Sequence, residues 1–114
     1  MMVRAPAPYL GEFEQLVLLA VLQLGDNAYA VPLRRAIEEA AARSVSRGAL
    51  YTTLERLEAK GFLSSRMGEP TADRGGRRRR YYSVTPTGVR ALRAARDAVG
   101  RLSTGLESVL GRSR

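Results

Sequence analysis

The chain has 114 residues, 45% of them hydrophobic, with a formal net charge of +8 and neither cysteine nor histidine. That length supports a single domain and one core. The missing residue types remove disulfides, thiolate nucleophiles, imidazole bases and the usual zinc or copper sites, so the sequence predicts no enzyme, no metal and no cofactor. The positive charge points instead to a phosphate-rich polymer or an anionic membrane surface.

The N-terminal stretch MMVRAPAPYLGEFEQ has one arginine, two prolines and then acids ahead of the apolar run, which is not the layout of a secretory signal. From Glu12 to Leu24, EFEQLVLLAVLQL is apolar around most of its circumference and stops at the turn formers Gly25, Asp26 and Asn27, predicting a helix buried on more than one side. Its longest apolar run, Leu16 to Leu22, is far short of the roughly 20 residues a membrane span needs, so the expectation is a cytoplasmic protein with no membrane partner. In YAVPLRRAIEEAAA, Tyr29, Leu33, Ile37 and Ala40 or Ala41 share one face, opposite Arg34, Arg35, Glu38 and Glu39. Pro32 suits the first turn of that second helix. A third helix follows in VSRGALYTTLERLEAKG. Ser46 is its N-cap, Val45 packs on Leu50 as a staple, Leu50, Leu54 and Leu57 form the buried stripe, and Gly61 is the stop.

The period then changes from helical to alternating. LSSRM sets Leu63 and Met67 inward and RYYSVT sets Tyr82 and Val84 inward, with GEPTADRGG and an arginine run between them, which predicts a β-hairpin with a long basic tip. Thr85 and Pro86 open a last helix expected to continue to about Leu110. Leu92, Ala95, Val99, Leu102, Leu106 and Val109 fall at alternating steps of three and four, a heptad seam that Gly100 and Gly105 weaken. So short a seam needs a second surface, and the first helix offers one. Glu12, Glu14, Glu38, Glu39 and Glu58 read as solvated helix surface, because no nucleophile or ligand set accompanies them.

Three helices and a two-stranded hairpin are the order of a winged helix, in which the third helix enters the major groove and the hairpin flanks it. The predicted fold class is therefore mainly α with a small β-hairpin: a winged helix-turn-helix over residues 10–85 and a long C-terminal dimerisation helix over 86–110, packed with helix 12–24. The expected partner is double-stranded DNA. The expected contacts are Ser46, Arg47, Gly48, Tyr51, Thr52 and Arg56 on the third helix, with Arg74, Arg77, Arg78, Arg79, Arg80 and Tyr81 on the wing. Glu55, on the same face, would repel phosphate and is expected to pair with Arg56 or a wing arginine. The expected homodimer interface combines Phe13, Leu16 and Leu19 with Leu92, Ala95, Val99, Leu102 and Leu106.

LGEFEQLVLLAVLQLGDNAYAVPLRRAIEE, SRGALYTTLERLEAKGFLSSR and GGRRRRYYSVTPTG together resemble the PadR family of bacterial transcriptional regulators, in its short form with a single C-terminal helix, over roughly residues 10–105. The resemblance rests on Ser46-x-Gly48-x-Leu50-Tyr51-x-x-Leu54-x-x-Leu57-Glu58-x-x-Gly61 and on Gly76-Arg77-x-Arg79-Arg80-Tyr81-Tyr82-x-Val84-Thr85-x-x-Gly88. It implies a dimeric repressor whose first and last helices join two subunits, each winged helix reading half of an inverted repeat. The chain departs from the family pattern with Thr52 where proline is common, with Arg80 where lysine is common, and in having no tryptophan of the kind that holds flat aromatic ligands at the dimer interface of some members. Two other functions fit the residues: a winged helix used for protein or RNA interaction, and a small-molecule-sensing repressor with a pocket between the first and last helices.

Overall fold

The structure, a computed structural model, describes residues 9–70, 75 and 78–111. Helix α1 (Glu12–Leu24) leads through a 3₁₀ turn (Gly25–Asn27) to α2 (Ala30–Ala41) and α3 (Arg47–Ala59). Strands β1 (Leu63–Met67) and β2 (Arg80–Val84) form an antiparallel pair in the register Leu63 to Val84 and Met67 to Arg80. Helices α4 (Pro86–Ser103) and α5 (Glu107–Leu110) follow the hairpin. The result is mainly helical with one small hairpin, as the sequence predicts.

Capping chemistry sets the helix starts. The Ser46 hydroxyl accepts from the Ala49 N–H at 3.0 Å and the Thr85 hydroxyl from the Gly88 N–H at 3.0 Å, each satisfying an orphan donor of a first turn. The Thr85 hydroxyl also donates to the Gly61 carbonyl at 2.6 Å, which ties the start of α4 to the end of α3. At α1 the Glu14 carboxylate reaches back to accept from the Gly11 N–H at 2.9 Å.

The core forms where the apolar faces of α1, α2 and α3 meet: Val17, Leu18, Leu33, Ile37, Leu50, Leu54 and Leu57 are essentially fully buried. Val45 joins it as the expected staple, with Leu10, Ala28, Phe62, Leu63 and Tyr82 closing the sides. Glu14 corrects the expectation of a solvated acid. It is 8% exposed, and its other oxygen takes a 2.8 Å salt bridge from Lys60. Burial pushes the Glu14 pKa up, but the Lys60 and Gly11 hydrogen bonds and the charges of Lys60 and Arg56 outweigh it, leaving the carboxyl below its ordinary value. The start of α1 is thereby fastened to the end of α3.

Two expectations about regular structure are corrected. Met67 is 44% exposed, because it sits at the distal end of β1, paired with Arg80 and beyond the core. The last helix is also interrupted: α4 ends at Ser103, Thr104 is non-helical and Gly105 has φ +83°. The Ser103 hydroxyl donates to the Val99 carbonyl at 2.6 Å and that of Thr104 to the Gly100 carbonyl at 3.0 Å. Hydroxyls turned back onto the helix, followed by a glycine in the left-handed region, end it. The seam therefore reaches Leu102 unbroken, and Leu106 and Val109 lie beyond the break.

Candidate nucleic-acid interface

The α2–α3 turn is held at both backbone groups of one residue. Arg34 Nε donates to the Val45 carbonyl at 2.6 Å, and the Val45 N–H donates to Glu38 Oε2 at 2.8 Å. Both side chains come from α2, and they face each other at 3.7 Å across one helical turn. Because Val45 immediately precedes the cap of α3, this clamp fixes how α3 leaves α2. Arg47, Gly48, Thr52, Glu55 and Arg56 are all exposed on α3, and Tyr51 is 40% exposed, so the face opposite the leucine stripe is open as expected. Glu55 makes no ion pair among the described residues, so the expected pairing with Arg56 is not found, and two of the wing arginines named as its other partners, Arg74 and Arg77, lie outside those residues.

The wing is docked onto the start of α2. The Tyr82 N–H donates to the Ala28 carbonyl at 2.9 Å, which lays β2 along the α1–α2 junction. Tyr82 turns inward as its alternation predicts, and burial raises its phenol pKa. One residue on from Ala28, Tyr29 occupies the N-cap position of α2 with its ring beneath the Arg79 guanidinium, 4.3 Å from the ring centroid. The Tyr29 and Tyr81 rings meet edge to face at 5.6 Å, and the Arg66 guanidinium covers Tyr81 at 4.8 Å. Arg79, Tyr29, Tyr81 and Arg66 thus form a stack of two aromatic rings between two cations, joining α2 to both strands. Gly68 is required beside it, since a Cβ there would lie 2.6 Å from the Tyr81 ring.

The stack divides the basic run into different roles. Arg78 is exposed, Arg79 is half-buried over Tyr29, and Arg80 donates to the Ser65 hydroxyl at 2.9 Å, which donates to Glu58 at 2.7 Å. Tyr81, expected to face phosphate, is half-buried and shared between Tyr29 and Arg66. Arg74 and Arg77 lie outside the described residues. Tyr29, expected on the core face of α2, belongs instead to this site; the sequence offers no sign of its pairing with Arg79, fifty positions away.

Between α2, the start of α3 and β2 lies an open cleft of about 400 Å³. Tyr29, Ala30, Val31, Arg34, Arg35 and Glu38 line it from the α2 side, Arg47, Leu50 and Tyr51 from α3, and Arg79, Arg80 and Tyr82 from the wing. Five arginines face one glutamate, so the cleft is strongly positive. It brings together Arg47, Tyr51, Arg79 and Arg80 of the predicted contacts and adds Tyr29, Arg34 and Arg35, which the sequence pattern assigns to core or solvated faces. None of its lining residues belongs to α1 or α4, the helices between which the sensing alternative puts a pocket. No group of histidine, cysteine or acidic residues able to hold a metal occurs among the described residues. Nor is any described helix long and apolar enough to cross a membrane.

The transcriptional regulator PadR-like family model matches residues 18–94, which takes in the second half of α1, the helix-turn-helix, the wing and the first half of α4. The chain belongs to the PadR-like family. It is accordingly a DNA-binding transcriptional regulator, in a family of regulators and not of enzymes. Among solved structures, a PadR family regulator from Eggerthella lenta is 27% identical with a TM-score of 0.64, the match covering 90% of this chain and 88% of that one. A PadR-like regulator from Bacillus cereus (22% identical, TM-score 0.69, covering 89% and 93%) and a PadR family regulator from Clostridium difficile (24%, 0.67, covering 87% and 99%) share the fold. Comparison with curated proteins finds no match.

The residues expected at a PadR-type dimer interface divide by exposure. Phe13, Leu16 and Leu19 are half-buried on α1 and pack against the core, and so does Ala95 on α4. Leu92 is 4% exposed and sits within this chain's own core, because the first turns of α4 lie against α1 and β2. Val99, Leu102 and Leu106 are 59%, 82% and 44% exposed, leaving an apolar stripe on the outer half of α4 and just past it.

Proposed function

We propose that the chain is a sequence-specific repressor that acts in the cytoplasm as a homodimer on an inverted-repeat operator. The observation that carries this reading is the shared basic cleft: the start of α3 and the wing present Arg47, Tyr51, Arg79 and Arg80 to one space, as a single duplex would require. Residues 10–85 read DNA in this scheme, α3 supplying base discrimination through Arg47, Thr52 and Arg56 and the wing arginines neutralising phosphate. Residues 86–110 join two subunits through Val99, Leu102 and the apolar residues beyond, against α1 of the partner. A two-fold dimer spaces its half-sites about one helical turn apart, near 10 base pairs centre to centre. Bound over a promoter, such a dimer excludes polymerase.

The test is fluorescence anisotropy with a duplex from the chain's own upstream region and a scrambled duplex, each at two salt concentrations. Selective binding to the upstream duplex is expected. Arg78→Gln with Arg80→Gln should weaken binding to both duplexes and flatten the dependence of log K on log salt by up to about 2, one for each phosphate no longer neutralised. Equal, weak binding to both duplexes, unchanged by the double substitution, would reject the reading and favour a winged helix used to bind protein or RNA.

A further inference from the structure

We infer that the cleft is the seat of a run of DNA backbone phosphates, the strand that separates the major from the minor groove, and that Arg35 of α2 is a phosphate contact there. The inference rests on the DNA-binding reading above and adds a site and a residue to it. A recognition helix works in the major groove, and a hairpin beside it reaches the edge of that groove and the next. A protein with one wall in each groove must straddle the phosphodiester strand between them. Those two elements line the cleft with Arg47 and Tyr51 from α3 and with Arg79 and Arg80 from the wing, and α2 lines its remaining side.

The chemistry of the α2 side supports an anionic occupant. Glu38, the single acid in the cleft, is engaged by the Val45 N–H and by Arg34, while Arg34 Nε is committed to the Val45 carbonyl. Those contacts hold the α2–α3 turn and leave Arg35 as the α2 cation available for another partner. Arg35 is exposed, lines the cleft one helical turn beyond Val31, and makes no hydrogen bond or ion pair among the described residues. The cleft is also built before any ligand arrives: the Tyr82–Ala28 hydrogen bond and the Arg79–Tyr29 contact hold the wing wall, and the Val45 clamp holds the α3 wall. Preformed walls lower the ordering cost of binding. On the sequence alone Arg35 belongs to a solvated face; the fold places it between the two reading elements.

The experiment uses the full chain and a duplex enriched by it from random-sequence DNA, with Arg35→Gln, Arg35→Lys and, as a control away from the cleft, Arg43→Gln. Arg35→Gln should make the salt dependence shallower by about 1 on enriched and scrambled duplexes alike, with Arg35→Lys restoring it and Arg43→Gln close to wild type. Neutral methylphosphonates introduced one position at a time should weaken wild-type binding at phosphates lying between the α3 and wing footprints. Arg35→Gln should add nothing to that weakening, as expected when both changes remove the same contact. A slope for Arg35→Gln no different from Arg43→Gln, in a protein that still binds its enriched duplex, would overturn the inference and leave the regulator reading intact. Failure of the wild-type chain to enrich or bind any duplex would overturn both. A free phosphate ester is the other source of the same chemistry. If dAMP at constant ionic strength displaces duplex from wild type but not from Arg35→Gln, the cleft holds a small ligand and the backbone assignment is wrong.

Discussion

Tyr29 shows how one side chain can set the geometry of a binding face. Its ring lies under Arg79 and against the edge of Tyr81, so it joins the helix-turn-helix to the wing at the point where their spacing is fixed. Cation–aromatic and aromatic–aromatic contacts of this kind contribute about 0.5–1.5 kcal/mol each. Tyr29→Leu should therefore destabilise the fold by about 1–2 kcal/mol in urea unfolding and lower the ratio of affinities for enriched over scrambled duplex, while Tyr29→Phe, which keeps the ring, stays near wild type on both measures. If Tyr29→Leu reduced stability but kept its selectivity, the residue would be merely structural. Much of the interface at this scale is legible in the sequence. The N-cap Ser46, the open face of α3 and the inward turn of Tyr82 all follow from local periodicity and capping. The roles of Arg79 and Tyr81 are not, because they depend on the main-chain bond from Tyr82 to Ala28, which no side-chain pattern records. Glu38 escapes a periodicity reading for a related reason: its partner is the backbone of Val45.

Among the elements, the passage from wing to α4 is the most constrained. Gly88 packs so closely on the α3–β1 connection that a Cβ would lie 2.3 Å from the Phe62 carbonyl oxygen and 2.9 Å from Val84. Neither neighbour is the free end of a flexible chain. Gly88→Ala should accordingly shift α4 against the wing and cost about 1–3 kcal/mol, read as a lower urea midpoint, although alanine is ordinarily the better helix former by about 1 kcal/mol. A neutral or stabilising Gly88→Ala would show that α4 is free to move away from the hairpin. Helix positions are legible here because α1, α2 and α3 carry clear apolar faces and turn residues at their ends. The end of α4 is not, since a heptad spacing of apolar residues describes which side of a helix is sticky and is silent on hydroxyls that turn back onto carbonyls at Ser103 and Thr104.

At the level of the whole molecule, the radius of gyration is 16.5 Å, well above the roughly 13 Å expected of a compact chain of this size. The excess fits an α4 that runs on past the core with Val99 and Leu102 exposed. Burying such a stripe in a partner is the proposed reason for its existence. Leu102→Asp with Val99→Asp should then convert a dimer into a monomer in sedimentation, with little change in the packing of α1 to α3, and should abolish tight operator binding by separating the two half-site readers. An unchanged sedimentation coefficient would place the dimer contact elsewhere. The same projecting α4 has a consequence for how the protein would respond to its own abundance. A helix whose apolar side is satisfied only by a second chain is stabilised by mass action, so its melting temperature should climb with protein concentration. Dilution would then fray the arm and release the promoter in one step, making the number of copies in the cell a threshold.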